Sequence, residues 1–139
     1  MTAGLDVGAP QAQSIASDQD VVRVRQMVRT VAVAVKLSLV DQTKLVTAAS
    51  ELARNTLVYG GGGEVLVSIV ENGRRRGVRI VFTDKGPGIA DLDLALTDGY
   101  TTGGGLGLGL SGARRLVDEF DIETAAGKGT RVTVTKWSR

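Results

Sequence analysis

The sequence of 139 residues contains no cysteine and no histidine. Without cysteine, disulfide frameworks and cysteine metal sites are excluded, and the composition is typical of a reducing compartment. The absence of both residue types also excludes Ser-His-Asp and Cys-His nucleophiles and zinc catalysis in its usual forms. A phosphohistidine on the chain itself is excluded for the same reason.

Aromatic residues, net charge and long apolar runs are also scarce. Phe, Trp and Tyr make up 4% of the chain, and its formal net charge is only +2. A nucleic-acid partner is not expected, because no basic segment is interleaved with aromatic side chains. No apolar segment approaches the ~20 residues of a membrane span, and no basic region precedes an apolar run at the start. We therefore predict a cytoplasmic protein without membrane or nucleic-acid partners.

The hydrophobic fraction of 42% is sufficient for the core of one ordinary globular domain. Residues 1–13 are rich in Ala, Gly and Pro, and Asp6 is their only charged residue. We predict that residues 1–13 form a disordered N-terminal extension and that residues 14–139 form a single domain.

Two helices are predicted in the first half of the chain. Valines recur at spacings of three and four between Val21 and Val35, which is a helical stripe, and Ser17 with Asp20 resembles a capping box. The first helix is therefore expected to begin near Asp18. The second helix is predicted to have Asp41 as its N-cap, to keep a buried face as far as residue 59, and to end at the glycine run 60–63.

The rest of the chain predicts strands, a loop and two shorter helices. The Val- and Ile-rich segments 64–71 and 77–84 flank a polar turn that contains three arginines, which indicates a hairpin with a solvated tip, although a partner could also bind there. The remaining predictions are a short helix at 91–98, a glycine-dense loop at 99–109, a helix at 110–120, and strands at 121–125 and 130–137. This order indicates an α+β two-layer sandwich with a mixed sheet and helices on one face.

Five of the seven residues from Gly103 to Gly109 are glycine. Glycines allow backbone N–H groups to converge on phosphate oxygens, and the predicted helix after the loop presents its N-terminal end to the same anion. A Rossmann site is not expected, since Tyr100–Gly103 before the loop is no strand. No Walker sequence occurs, and the H-R-D loop of ordinary protein kinases is impossible without histidine. The alternative of a flexible linker is disfavoured because leucines alternate with the glycines, which suggests a lid.

Four segments carry a resemblance to a known family. They are Glu51-Leu-Ala-Arg-Asn55, Asp84-Lys-Gly86-Pro-Gly88-Ile89, the loop Gly103–Gly109 and Gly127-x-Gly129-Thr130. In this order they resemble the N box, the D-x-G-x-G box, the lid and the final box of the GHKL (Bergerat-fold) ATPases and kinases. The resemblance implies that ATP and Mg²⁺ are bound.

The resemblance also implies roles for individual residues. Asp84 would accept a hydrogen bond from the adenine amino group, and Thr130 would close the same edge directly or through water. Asn55 would offer its amide oxygen to Mg²⁺. The other residues implied to bind the nucleotide are Gly86, Gly88, Ile89, Thr101, Thr102, Gly103, Gly104, Gly105, Leu106, Gly107, Leu108 and Gly109.

Glu51 is the candidate catalytic residue. It lies four positions before Asn55, so on a helix the two side chains share a face with their Cβ atoms about 5–6 Å apart. A carboxylate beside the γ-phosphate can take the proton of an attacking hydroxyl. The alternative is a surface glutamate that only pairs with Arg54 or Lys44.

Within the GHKL proteins, the small size and the glutamate of the N box make the chain similar to the bacterial anti-sigma and stressosome switch kinases. The similarity implies a serine/threonine kinase that phosphorylates STAS-domain scaffolds or antagonists and then binds a downstream regulator, typically a phosphatase. Two alternatives remain at this point. The chain could be an anti-sigma module in which ATP mainly controls partner capture, or it could hydrolyse ATP without a protein acceptor.

Overall fold

The computed structural model describes residues 5–89, 96 and 109–139. In chain order the elements are β1 (Leu5–Ile15), α1 (Asp18–Ala34), α2 (Leu39–Val58), β2 (Gly63–Asn72), β3 (Arg75–Asp84), α3 (Gly109–Arg115), β4 (Glu119–Thr124) and β5 (Thr130–Trp137). The helix predicted at 91–98, apart from residue 96, and the loop predicted at 99–109, apart from residue 109, lie outside the described residues.

The five strands form one sheet in the order β1-β2-β3-β5-β4, and all four neighbouring pairs are antiparallel. The predicted α+β architecture is confirmed, but the expectation of a mixed sheet is wrong. Because α1 and α2 follow each other through a short turn, the chain returns to the end of the sheet that it left. Ile15 at the end of β1 therefore pairs with Gly63 at the start of β2.

The N-terminal segment is the largest departure from the sequence-based expectation. Residues 5–13, predicted to be disordered, belong to β1, which forms an edge of the sheet. The register shifts between Val7 and Gln11, so the part of β1 that contains Pro10 lies in an irregular stretch. An edge strand tolerates proline and a bulge, and Ile15, which is 1% exposed, attaches the strand to the core. Composition alone suggested disorder because these packing contacts are not local.

Helix α1 begins as predicted, with Ser17 as N-cap accepting a hydrogen bond from the amide of Asp20. The Asp20 carboxylate reaches back to the amide of Ala16 at 2.9 Å. This backbone hydrogen bond, supported by Arg23, lowers the pKa of Asp20. Helix α2 differs from the prediction, because its N-cap is Ser38.

Asp41 is therefore the third residue of α2 rather than its cap, and its amide donates to Ser38 Oγ at 3.1 Å. Both residue types are good N-caps, and the serine lies closer to the preceding turn. The helix predicted to reach Phe120 ends at Arg115, because residues 119–124 form β4 beside β5. The predicted hairpin of β2 and β3 and the final strand to Trp137 are confirmed.

The core lies between the helices and one face of the sheet. The three helices of the described residues contribute to it, and the sheet contributes alternate residues of its central strands, so these helices cover one face as predicted. On the other face Val70 and Trp137 form a small separate cluster. Within the described part of the chain, every helix is too short or too polar to cross a membrane. The sheet-facing core residues are Val65, Val67, Val78, Ile80, Phe82, Val132 and Val134.

Candidate functional site

Helix α2 carries the two candidate residues for phosphate chemistry. Glu51 and Asn55 are one turn apart on this helix, as the sequence predicts. Glu51 is 5% exposed, and none of the described residues forms a hydrogen bond or ion pair with its carboxylate. The alternative of a surface glutamate that pairs with Arg54 or Lys44 is therefore not found. A buried carboxylate without a described partner is suited to receive a proton from a group that enters the site.

The C-terminal end of α2 packs directly against Asp84. The amides of Tyr59 and Gly60 both donate to the carbonyl of Asn55, which closes the helix. A Cβ added at Gly60 would lie 2.4 Å from Cγ of Asp84, and one at Gly86 would lie 2.8 Å from Cα of Gly60. Glycine is therefore required at both positions for the N-box helix to reach the end of β3. This contact joins the predicted metal-binding end of the site to the predicted adenine end.

Asp84 and Thr130 are direct partners across β3 and β5, so the two predicted adenine contacts lie side by side. One carboxylate oxygen of Asp84 accepts the amide of Gly86 at 2.9 Å, which orients the side chain. No described donor is bound to the other oxygen. Gly129 has a φ of 81°, and a Cβ there would lie 2.2 Å from the carbonyl oxygen of Asp84. The edge formed by Asp84 and Thr130 therefore depends on the glycine that precedes the threonine.

The loop after Asp84 is held against the β4–β5 turn. Gly88 has a φ of 75°, and a Cβ there would lie 2.1 Å from the carbonyl oxygen of Ala125. The amide of Gly127 donates to the carbonyl of Pro87 at 2.6 Å. The second and fourth boxes, 84–89 and 127–130, are thus one structural unit, although about 40 residues separate them in the sequence.

The predicted phosphate loop is described only at its end. The candidate residues Thr101, Thr102, Gly103, Gly104, Gly105, Leu106, Gly107 and Leu108 lie outside the described residues. Gly109 begins α3 with a φ of 64°. Leu110 is 8% exposed and belongs to the core, so the end of the loop is attached to the same core as α2.

The residues fit a magnesium ion that is held mainly by the nucleotide. Mg²⁺ usually keeps several waters and takes one or two protein ligands beside substrate phosphates. Within the described residues there is no group of three or more Asp, Glu, His or Cys side chains that could hold a metal. Asn55 is half-buried, and no described residue is hydrogen-bonded to its side-chain amide, so that amide remains a candidate ligand.

Two residues of the site were not predicted from the sequence. Gly60 could have been suspected, because it is the first of four consecutive glycines after the N box. Thr124 had no distinctive signal. Its hydroxyl accepts the amide of Ile89 at 2.9 Å, contacts the carbonyl of Gly129 at 3.1 Å and lies 2.9 Å from the hydroxyl of Thr130.

The comparisons with known proteins agree with this geometry. Residues 40–138 match the family described as histidine kinase-, DNA gyrase B-, and HSP90-like ATPase. The chain is 42% identical over 125 residues to the serine/threonine-protein kinase RsbT of Bacillus subtilis, covering 90% of this chain and 94% of that protein. It is 31% identical over 116 residues to the anti-sigma F factor of Clostridium novyi, covering 76% of this chain and 81% of that protein.

A crystal structure of the RsbU and RsbW domains of a Mycobacterium tuberculosis protein has a similar fold, with a TM-score of 0.66 and 24% identity. The match covers 95% of this chain and 33% of the crystallised chain. The matched region contains the N-box helix, the Asp84–Thr130 edge and the final box. The chain therefore belongs to the histidine kinase-, DNA gyrase B- and HSP90-like (GHKL) ATPase family, in the branch that contains the serine/threonine-protein kinase RsbT and the anti-sigma F factors.

Proposed function

We propose that the chain transfers the γ-phosphoryl group of ATP to a serine or threonine of a STAS-domain scaffold or antagonist protein. The phosphorylated partner then releases the kinase, which binds a downstream regulator such as a phosphatase. The observation that carries the proposal is the position of Glu51, buried and one helical turn from Asn55 on a helix whose end packs against Asp84. This arrangement supports phosphoryl transfer in addition to nucleotide binding.

The binding part of the site recognises ATP at two ends. The Asp84 oxygen that binds no described donor and the hydroxyl of Thr130 receive the adenine edge. Gly86 and Gly88 leave room for the base and ribose, and Ile89 lines that turn. We assign the phosphates to the loop from Thr101 to Gly109. Asn55 would hold Mg²⁺ through its amide oxygen, and the ion would supply neutralisation of the charge on the phosphates.

The chemical step assigned to the chain is proton removal. The partner's hydroxyl oxygen forms a bond to the γ-phosphorus as the bond from that phosphorus to the bridging oxygen of ADP breaks. Glu51 receives the proton that the hydroxyl loses, so the charge is balanced within the site.

The branch of the family supports our proposals for the partner and the compartment. Kinases that act by partner switching need a protein acceptor, and we propose that it is a STAS domain. The similarity to the serine/threonine-protein kinase RsbT over 90% of this chain supports a protein acceptor. We place the reaction in the cytoplasm, where ATP is the available phosphoryl donor.

The test is to incubate the protein with Mg²⁺, γ-labelled ATP and the STAS proteins encoded near its gene, and then to map the label. We expect label on one serine or threonine of a STAS protein, and none on a variant in which that residue is alanine. Phosphate release at the same rate with and without the acceptor would contradict the kinase proposal and support simple hydrolysis.

A second candidate function is capture of a sigma factor, which the similarity to anti-sigma F factors favours. In this function ATP mainly sets the conformation that binds the sigma factor. Pull-down of a STAS protein and of a sigma factor, each with ATP and with ADP, separates the two functions. Nucleotide-dependent retention of the sigma factor without phosphorylation of the STAS protein would favour capture.

A further inference from the structure

The turn between α1 and α2 exposes three large apolar side chains. Leu39 and Val40, in the first turn of α2, are 71% and 63% exposed, and Val33 near the end of α1 is 54% exposed. The turn is tight, because the amide of Lys36 donates to the carbonyl of Val33 at 3.0 Å, so the three side chains belong to one area of the surface. Neighbouring exposed apolar side chains are typical of a surface that another molecule covers.

Three exposed cations surround these apolar side chains. Arg29 lies one helical turn before Val33, Lys36 lies in the turn between the helices, and Lys44 lies one helical turn after Val40. None of the described residues forms an ion pair or a hydrogen bond with the side chain of any of the three. We call this surface the helical corner, and it consists of Arg29, Val33, Lys36, Leu39, Val40 and Lys44.

The charge around the helical corner is of one sign. Residues 21–58 contain six basic residues and only two acidic ones, Asp41 and Glu51, and both acidic side chains are buried. Asp41 is also paired with Lys136 at 3.6 Å. The rest of the chain has more acidic than basic residues, so the positive charge is concentrated on these helices. A positive surface around apolar contacts is complementary to an acidic protein surface.

Helical periodicity connects the corner to the proposed base. Lys44 and Val40 lie seven and eleven residues before Glu51, close to two and three full turns, so the three side chains project from one face of α2. This face is exposed at Val40 and Lys44, half-buried at Thr47 and buried at Glu51. Val40 and Glu51 are about 17 Å apart along the helix axis, which is less than the diameter of a small domain, about 30 Å. One small domain that covers the corner therefore also reaches the proposed active site.

We propose that the helical corner is the docking surface for the protein substrate, and that this substrate presents an acidic surface around an apolar side chain. The inference rests on the proposed kinase function, to which it adds the place where the acceptor protein is held. Contacts at the corner lie away from the reacting atoms and are the same before and during the transfer. Their loss should therefore raise the KM for the acceptor protein and leave kcat unchanged.

The test measures initial rates of phosphoryl transfer at saturating ATP, with the STAS proteins encoded near the gene as acceptors at a series of concentrations. One double variant, Lys36→Glu with Lys44→Glu, reverses two charges of the corner. A second double variant, Leu39→Ser with Val40→Ser, removes two apolar side chains and keeps the charge. Calorimetry with ATP and thermal unfolding report whether each variant is folded and binds nucleotide.

The matched control is Arg74→Glu with Arg75→Glu. Both arginines are exposed at the turn between β2 and β3, and no described residue is ion-paired with either side chain. The control changes the net charge of the protein by the same amount as the charge-reversed corner variant. It therefore separates a local contact from a general effect of charge on the encounter of two proteins.

We expect each corner variant to raise the KM for the acceptor at least tenfold. Its kcat and its ATP affinity should stay within about twofold of wild type, and the control should resemble wild type in all three quantities. The KM of the wild-type protein should rise with NaCl concentration, because salt screens the attraction between the corner and an acidic partner. The rise should be shallower in the charge-reversed variant.

An unchanged KM in the corner variants, with transfer by the wild-type protein, overturns the inference and leaves the kinase proposal standing. An equal rise in the control overturns it as well. If the apolar variant does not fold, the charge-reversed variant decides alone. With KM unchanged, loss of binding to phosphatidylglycerol vesicles would assign the corner to a membrane, and loss of self-association in ultracentrifugation would assign it to a second copy. Absence of transfer by the wild-type protein to every STAS protein would contradict the proposed function itself.

Discussion

At the scale of single residues, the site depends on a few side chains whose surroundings are set by glycines. One oxygen of the Asp84 carboxylate accepts a hydrogen bond from the amide of Gly86. The carboxylate also packs so closely against Gly60 that a side chain at residue 60 would displace it. The chemical class of these residues was readable from the sequence, because an aspartate before G-x-G is a local pattern. The contact with Gly60 was not readable, because 24 positions separate residues 60 and 84 and only folding brings the two segments together.

Replacement of Asp84 by asparagine is the prediction that belongs to this scale. Asparagine presents one donor and one acceptor where the carboxylate presents only acceptors, so an adenine amino group would face a mispaired partner. We expect ATP binding to weaken by about 1–3 kcal/mol, measured by calorimetry. Asp121→Asn, on an exposed position of β4, is the control and should bind as wild type does. Unchanged affinity in Asp84→Asn would remove this residue from the site.

At the scale of secondary-structure elements, α2 is the part of the fold that brings the proposed base close to the proposed nucleotide-binding residues. Its buried face was predictable from the spacing of apolar residues, and its end was predictable from the glycine run. Its N-cap was predicted three residues too late, at Asp41 instead of Ser38. The two residue types are equally good caps, and only the preceding turn distinguishes them. Strand β1 was missed because its pairing with β2 is non-local and its composition resembles a linker.

The glycine run after α2 provides a matched pair of variants. Gly60→Ala should displace the Asp84 carboxylate, because the new Cβ would lie within 2.4 Å of Asp84 Cγ, whereas Gly61→Ala meets no atom within 4 Å. Gly61 has a φ of 73°, so alanine there costs stability without touching the site. We expect ATP affinity to fall at least tenfold in Gly60→Ala and to stay within about twofold of wild type in Gly61→Ala. Equal losses in nucleotide titrations of the two variants would contradict the proposed contact.

At the scale of the whole molecule, α2 is held at both ends. Gly60 contacts Asp84 at its C-terminal end, and Asp41 in its first turn lies 3.6 Å from the amine of Lys136 on β5. Lys136 is 4% exposed and also lies 3.6 Å from Asp118, which in turn accepts a hydrogen bond from Arg139. This charge cluster connects the C-terminal strand to the helix that carries Glu51. No short-range sequence pattern identifies it.

Removal of Lys136 should therefore destabilise the fold. The buried carboxylate of Asp41 and the partly exposed carboxylate of Asp118 would both lose the lysine. We expect Lys136→Ala to lower the free energy of unfolding by about 3 kcal/mol, the lower end of the range for a broken buried ion pair, because Arg139 remains. Arg131→Ala breaks an exposed pair with Glu123 and should cost less than about 1 kcal/mol. Urea unfolding of both variants measures the difference. A loss no larger than that of Arg131→Ala would mean that the cluster contributes little.

The central claim is that Glu51 acts as the base in phosphoryl transfer, and replacing it with glutamine tests that claim most directly. Glu51→Gln keeps the size and reach of the side chain but cannot accept the proton, so ATP and partner binding should persist. Single-turnover transfer to the partner should fall by about 10²–10⁴-fold. Glu123→Gln, exposed on β4, is the control for the substitution itself and should transfer as wild type does. A Glu51→Gln rate within a few-fold of wild type, with ATP bound, would contradict the account.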